Sequence, residues 1–384
     1  MKSKNSIIFN AQLFKNQMIP SVFSSLYYFG QTVANQHSLE VSPNQIYSFR
    51  LVPSYIHLNL KDPTLTSKTI KQENWGYAVY LKESTTVDDY LQKQFKYKYR
   101  SIIRRFITRL EACFPIKYSL FHGEISKEDY DFIMDSLEKM IIHRFTQRNE
   151  KHKEIHLWTN LKKTTFDKIR NKEASLFVIY HQKQPIEISL NYHFDKILFS
   201  AISSYDINYA KFGLGHIEIY KQIEWCLHHD YILFEMGVGG MDYKRRWSNT
   251  IYNFEHHIVY SNTNLLAKIN GQIEVVKIEV KEYLKAKKLN EFIPILKNKF
   301  AKKSSNEEGL ISNPIVKISE QSAANTFQGT EIQWQLSEYH LLKKHIFDFL
   351  YTTIEHAHAI KVYKMDAHEY YIVGKKSFQK ITIN

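Results

Sequence analysis

The chain has 384 residues, enough for two or three domains that each bury a core. Its 43% hydrophobic and 14% aromatic content excludes a disordered chain, and a formal charge of +13 favours anionic partners: CoA, nucleic acid, acidic glycans or an anionic membrane. Nucleic-acid binding also needs a focused basic patch with stacking aromatics, which net charge alone does not supply. Cys113 and Cys226 are the two cysteines, and both fall in helical apolar patterns. They read as buried reduced thiols rather than a disulfide or a nucleophile, and cytoplasm is the expected compartment. The apolar run 7–14 is interrupted by Asn10 and Gln12, so no signal peptide is expected, and no run approaches the roughly 18 apolar residues of a membrane span.

In chain order, residues 46–52 and 55–60 read as strands, broken by Pro53 and closed by Lys61-Asp62-Pro63. Residues 75–81 alternate as a strand does. Thr85 or Thr86 can cap a helix that starts at Val87. A clear helix follows over about 96–113. It has Tyr99, Ile103, Phe106, Leu110 and Cys113 on one face and Lys98, Arg100, Arg104, Arg105 and Arg109 spread over the other. That basic side is either a solvated surface or a wall facing an anionic donor. Residues 124–147 contain a second long helix, capped by Ser126 with Asp129 at the third helical position. His143, Arg144 and Arg148 lie at or beyond its end, where basic residues suit the helix dipole.

A short helix over 162–171 leads to three strands at 175–180, 185–194 and 196–203, with turns at 181–184 and at Asp195. Glu187 is expected on the surface of the middle strand. The helix 214–229 keeps Ile219, Ile223, Cys226 and Leu227 together for packing. After the strand 231–236 and a glycine loop comes a final strand, 252–260. Residues 264–300 read as a Lys-rich helix and 302–309 as a polar linker. Residues 315–384 then read as strand, helix (336–354) and two strands.

The stretch 199–247 carries the most chemistry. A helix that opens on Gly213-Leu214-Gly215 offers unpaired N–H groups and a positive dipole end, which suits a pyrophosphate. Lys211, Phe212 and His216 flank that turn as further donor-binding candidates. Glu235 interrupts the apolar run Tyr231-Ile232-Leu233-Phe234-Glu235-Met236, so it must be paired or have a raised pKa. It is either a structural ion-pair partner of Lys244 or Arg245, or a general base. Gly237-Val238-Gly239-Gly240 precedes Asp242, Tyr243, Lys244, Arg245, Arg246 and Trp247. Asp242 is a turn residue or a second carboxylate for catalysis. Tyr243 either packs or protonates a leaving thiolate.

These residues resemble the GNAT acyltransferase superfamily, in the branch related to the cellulose-biosynthesis protein CelD. The likeness rests on Tyr205, Tyr209, Gly213, Gly215, Glu235, Gly237, Tyr243, Lys244 and Trp247, in that order, and spans roughly residues 75–262. One departure stands out. The superfamily prefers Arg or Gln three residues before the first glycine, where this chain has Ala210; Lys211 is shifted by one. The resemblance implies an α/β (α+β) GNAT fold with two such halves in tandem as one arrangement. It also implies Arg144, Tyr205, Asp206, Lys244 and Trp247 near the acceptor, and acetyl-CoA or another acyl-CoA as donor. The implied acceptor is an amine, an amino sugar of envelope or exopolysaccharide biosynthesis. Direct attack by an amine on a thioester needs no nucleophilic Cys or Ser.

The expected division is an N-terminal α/β subdomain (1–94), the GNAT-like domain (95–262), a helical extension and linker (263–305) and a small α/β appendix (306–384). Two other readings stay open. FemAB-type transferases use aminoacyl-tRNA, which the basic charge suits; a non-catalytic partner in polysaccharide assembly is the third. The pairs His228-His229 and His256-His257 and the spacing His356-x-His358 lack companion ligands at a metal-site spacing, so no metal is expected.

Overall fold

The computed structural model describes residues 6–36, 42, 44–147, 157–239, 241–287, 316–321, 329–375 and 377–383. The first strands are β1 (Ile7–Ile8), β2 (Phe23–Tyr28), β3 (Gln31–Ala34), β4 (Tyr47–Pro53), β5 (His57–Leu60) and the long β6 (Leu65–Tyr80). Next come α1 (Val87–Gln94), α2 (Tyr97–Cys113), β7 (Ile116–Phe121), α3 (Lys127–Gln147), α4 (Trp158–Arg170), β8 (Ala174–His181), β9 (Gln184–Phe194) and β10 (Ile197–Tyr205). They are followed by α5 (Leu214–His228), β11 (Leu233–Val238), α6 (Asp242–Trp247), β12 (Thr250–Ser261) and α7 (Leu265–Ala286). The C-terminal part holds β13 (Val316–Gln321), β14 (Thr330–Glu331), α8 (His340–Thr353), β15 (Lys361–Lys364), β16 (Glu369–Val373) and β17 (Phe378–Ile383). This is a mixed α/β fold with a small C-terminal sheet.

Contacts group the chain into two compact units. Unit 1 comprises Met1–Thr85, Tyr192–Ala201 and Cys226–Asn306; unit 2 comprises Thr86–Asn191, Ile202–Trp225 and Glu307–Asn384. The four consecutive segments expected from the sequence are not these units, because the chain enters each unit three times.

In unit 1, β4 and β6 flank β12 antiparallel, and β6 pairs antiparallel with β11. The other edge of β11 runs parallel to the first residues of β10, with Phe199 opposite Glu235. A second sheet orders β3-β2-β5. The hairpin between β2 and β3 turns at Gly30, whose φ of 85° suits a residue without a Cβ. The core of this unit holds Phe9, Leu13, Phe14, Phe23, Phe49, Val52 and Phe254, all buried.

In unit 2, the helix starts follow the capping chemistry read from the sequence. Thr86 Oγ1 accepts from the Asp89 amide at 3.1 Å, and Ser126 Oγ from the Asp129 amide at 3.0 Å. Of the apolar face of α2, Ile103, Leu110 and Cys113 are fully buried. Leu110 and Cys113 belong with a core that contains Phe114, Phe177, Tyr209, Phe212 and Leu214 together with Ile346, Phe347 and Leu350 of α8. Cys113 Sγ donates to the Leu350 carbonyl at 3.3 Å, and Arg109 donates to that of Tyr351 at 2.8 Å. Side chains of the C-terminal helix α8 are therefore part of the core of unit 2. Three strands follow this helix, where two were expected. The linker expected at 302–309 lies outside the described residues.

Candidate active site

Glu235 sits on β11 of unit 1 with no exposed surface. The pairing of β11 with β6 slips between Glu235 and Val238, a bulge that lets the backbone turn back on its own side chain. Gly237 adopts φ 69° there, and its N–H donates to Glu235 Oε1 at 2.6 Å. Tyr252 of β12 donates its hydroxyl to Oε1 at 2.8 Å, and Tyr55 donates to Oε2 at 2.7 Å. The carboxyl is thus held by two phenols and a backbone amide.

Burial pushes the Glu235 pKa up from 4.5 to about 7; these three donors, and the charge of Lys244, pull in the opposite direction. The same burial, with the Glu235 charge alongside, raises Tyr55 and Tyr252 well above the usual phenol range. A carboxyl balanced near neutrality can take up and release a proton at physiological pH.

Lys244 acts on Glu235 by charge, while its Nζ donates to the carbonyls of Met236 and Val238. It thereby ties α6 back onto the glycine loop. Asp242 is exposed in the first turn of α6 and Tyr243 is half-buried. Trp247 is fully buried, so its side chain belongs to the core rather than to an acceptor surface. Gly240 lies outside the described residues.

The expected donor loop lies in unit 2. Gly213 takes φ 64° and ends a short 3-10 turn, Ile207–Phe212. A Cβ there would meet the Phe106 ring at 2.7 Å. Gly215, in the first turn of α5, faces open space: nothing lies within 4 Å of an added Cβ. Phe212 and Leu214 are core side chains, so they can serve a ligand only through their backbone. His216 stacks on Phe106 with centroids 5.6 Å apart. Exposed Lys211 reaches Thr352 Oγ1 at 3.1 Å, a contact within the protein rather than one held free for phosphate. Asp206 caps the 3-10 turn, accepting from the Asn208 amide at 3.0 Å, which is a structural task.

Arg144 and Tyr205 do come together, the guanidinium 4.9 Å from the ring centroid. The Asp206 amide bonds to the Ile186 carbonyl at 2.9 Å, setting the end of β10 beside the start of β9, where Glu187 stands. Glu187 is buried, not on the surface as expected. Neither of its oxygens has a hydrogen-bond partner among the described residues. Burial and the charge of Glu218 push its pKa well up, and Arg144 opposes them. Glu218 in turn accepts from Gln222 Nε2 at 2.6 Å. Sequence reasoning missed Glu187, yet the signal was present: like Glu235, it interrupts an apolar run, here Pro185-Ile186-Glu187-Ile188. Tyr55 and Tyr252 carried no such signal.

Among the described residues, no group of three or more His, Cys, Asp or Glu side chains could hold a metal ion. No described helix is long and apolar enough to cross a membrane. His256 accounts for itself structurally: it bonds to Ser48 Oγ at 2.8 Å, and burial lowers its pKa to about 4.

A strand meander leading to a glycine-opened helix, then a strand with a buried carboxyl, is the element order of a GNAT-type acyltransferase. Residues 97–245 match the model of the acetyltransferase (GNAT) domain family. No curated protein matches the chain. Solved structures similar to it include FemX, with a TM-score of 0.40, 10% identity, and coverage of 55% of this chain and 71% of that one. A conserved protein of unknown function from Bacteroides thetaiotaomicron VPI-5482 has a TM-score of 0.36 and 10% identity, over 56% of this chain and 70% of that one. L-PGS from Bacillus licheniformis has a TM-score of 0.35 and 11% identity, over 56% and 68%.

Proposed function

We propose that the chain is an acyl-CoA-dependent N-acyltransferase with an amine acceptor, and that Glu235 is its proton acceptor. The observation that carries the reading is the buried Glu235 carboxyl, balanced near pH 7 between two phenols and an amide. The acceptor ammonium gives up a proton, which partly buried Tyr55 relays to Glu235. The free amine attacks the thioester carbonyl, the C–N bond forms, the C–S bond breaks, and the proton the amide nitrogen sheds balances the one the leaving thiolate takes up. Tyr243 is the candidate donor of that proton. Taken by itself, unit 2 offers the first-turn amides of α5, at Leu214 and Gly215, as a candidate seat for a pyrophosphate. An amino sugar of envelope or exopolysaccharide biosynthesis remains the acceptor class suggested by the sequence resemblance.

A net charge of +13 favours a second donor, aminoacyl-tRNA, for which the same attack would break an ester instead. Thermal denaturation with acetyl-CoA, longer acyl-CoAs and aminoacyl-tRNA separates the two. At ten times its Kd the true donor adds about 1.4 kcal/mol by mass action. The expected result is a shift with a CoA thioester. Tight tRNA binding without a CoA response would replace the first reading with the second.

A further inference from the structure

Helix α7 packs one face and exposes another. Ala267 and Gly271 are buried, and the Tyr260 ring occupies the space a Cβ at Gly271 would need. Val275 and Ile278 pack on Ile70, Ile258 and Tyr260. Glu282 accepts from the Glu73 amide at 3.0 Å, which pins the C-terminal half of the helix to β6. The helix is thus firmly seated within unit 1.

Its opposite face is apolar and open. Leu266, Ile269, Ile273, Val276, Val280 and Tyr283 are between 45% and 72% exposed. Their spacing alternates strictly between three and four residues. That is the 3.5-residue period of a coiled-coil seam, narrower than the stripe by which a helix packs on a globular core. The next seam positions in the sequence are Lys287 and Asn290, so the apolar pattern stops where the described helix stops. A seam of this period is matched by another helix with the same period, and the same chain supplies one.

We propose that α7 pairs with α7 of a second copy of this chain in an isologous coiled-coil dimer. The area suffices: six half-exposed side chains, with Leu265 and Leu284 at the margins, offer roughly 700–900 Å² per chain, against about 800 Å² per partner in a standard stable interface. The flanks favour protein over lipid. Within Leu265–Ala286 the four lysines, Lys268, Lys277, Lys281 and Lys285, are interspersed with Glu274, Glu279 and Glu282, a mixed-charge pattern, whereas a helix lying on an anionic membrane carries few acidic residues on its Lys-rich polar face.

Sedimentation equilibrium of the full chain tests this across a concentration series. The expected result is a concentration-dependent dimer for the parent. Val276→Glu and Val280→Lys, both at exposed positions, become monomers with unchanged circular dichroism. Either variant suffices should the other misfold. A parent that is monomeric throughout overturns the proposal, whether its seam is then covered by its own chain or by phosphatidylglycerol vesicles in a flotation assay. A dimer that survives both substitutions overturns it equally.

Discussion

Gly76 lies directly across the sheet from Tyr252, and the ring of Tyr252 fills the space where a Cβ of residue 76 would stand. The phenol that crosses this glycine is one of the two that hold Glu235. The missing side chain on β6 is what allows the Tyr252 ring of β12 to cross residue 76 and reach the carboxyl. Gly76→Ala is expected to cost about 1–3 kcal/mol, the scale of overpacking a filled core. It should also weaken the Tyr252–Glu235 bond. Urea unfolding gives the first quantity, and a pH–rate profile displaced to higher pH reports the second.

Glu235 makes both stability and rate depend on pH. Its carboxyl titrates near 4.5 when unfolded and near 7 when folded. Between those values the native state keeps a proton the unfolded chain has lost. This group's contribution therefore lowers stability as pH rises through that window and levels off above about 7. Glu187 acts in the same sense, so only the difference between parent and Glu235→Gln isolates the term. The variant should show the flatter stability curve. It should also lose roughly 10²–10⁴-fold in turnover, the scale of a general base. Parent turnover should rise with pH through about 7. A variant as active as its parent would make the carboxyl structural and leave Asp242 as the base to test.

The two glycines at the start of α5 separate fold from function. Gly213→Val meets both a left-handed backbone and the Phe106 ring, and should lower Tm clearly. A Cβ at Gly215 meets nothing within 4 Å, so Gly215→Val should melt within about 1 kcal/mol of the parent, Val being if anything a better helix former than Gly. It should nevertheless abolish the thermal shift given by acyl-CoA. Isothermal titration of both variants with acetyl-CoA provides the comparison; undiminished binding by Gly215→Val would remove this loop from the donor site.

Truncation before α8 should fail. Ile346 and Leu350 are fully buried beside Phe114 and Phe212, so a chain ending near residue 305 exposes a large part of that core. Aggregation, or loss of a cooperative melt in calorimetry, is the expected outcome. A soluble, cooperatively melting truncation would show instead that the core of unit 2 closes without α8.

What the sequence determined by itself is what a few neighbouring residues can encode. The apolar period of α2, the caps at Thr86 and Ser126, the order β8-β9-β10-α5-β11 and the anomalous carboxyl in β11 all depend on residues close to each other in the chain. Tertiary structure decided the rest. Tyr55 reaches Glu235 across 180 positions, and no local pattern marks one tyrosine among 26 as the partner of a carboxyl. Glu187 does interrupt an apolar run, but only the fold shows that both faces of its strand are covered. The C-terminal segment looked separate because a polar stretch precedes it. Its place was set by the apolar faces of α2 and α8, which bury each other far apart in the chain. A carboxyl's proton affinity follows from the donors and burial that folding assembles around it, and those are properties of the topology rather than of the neighbouring residues.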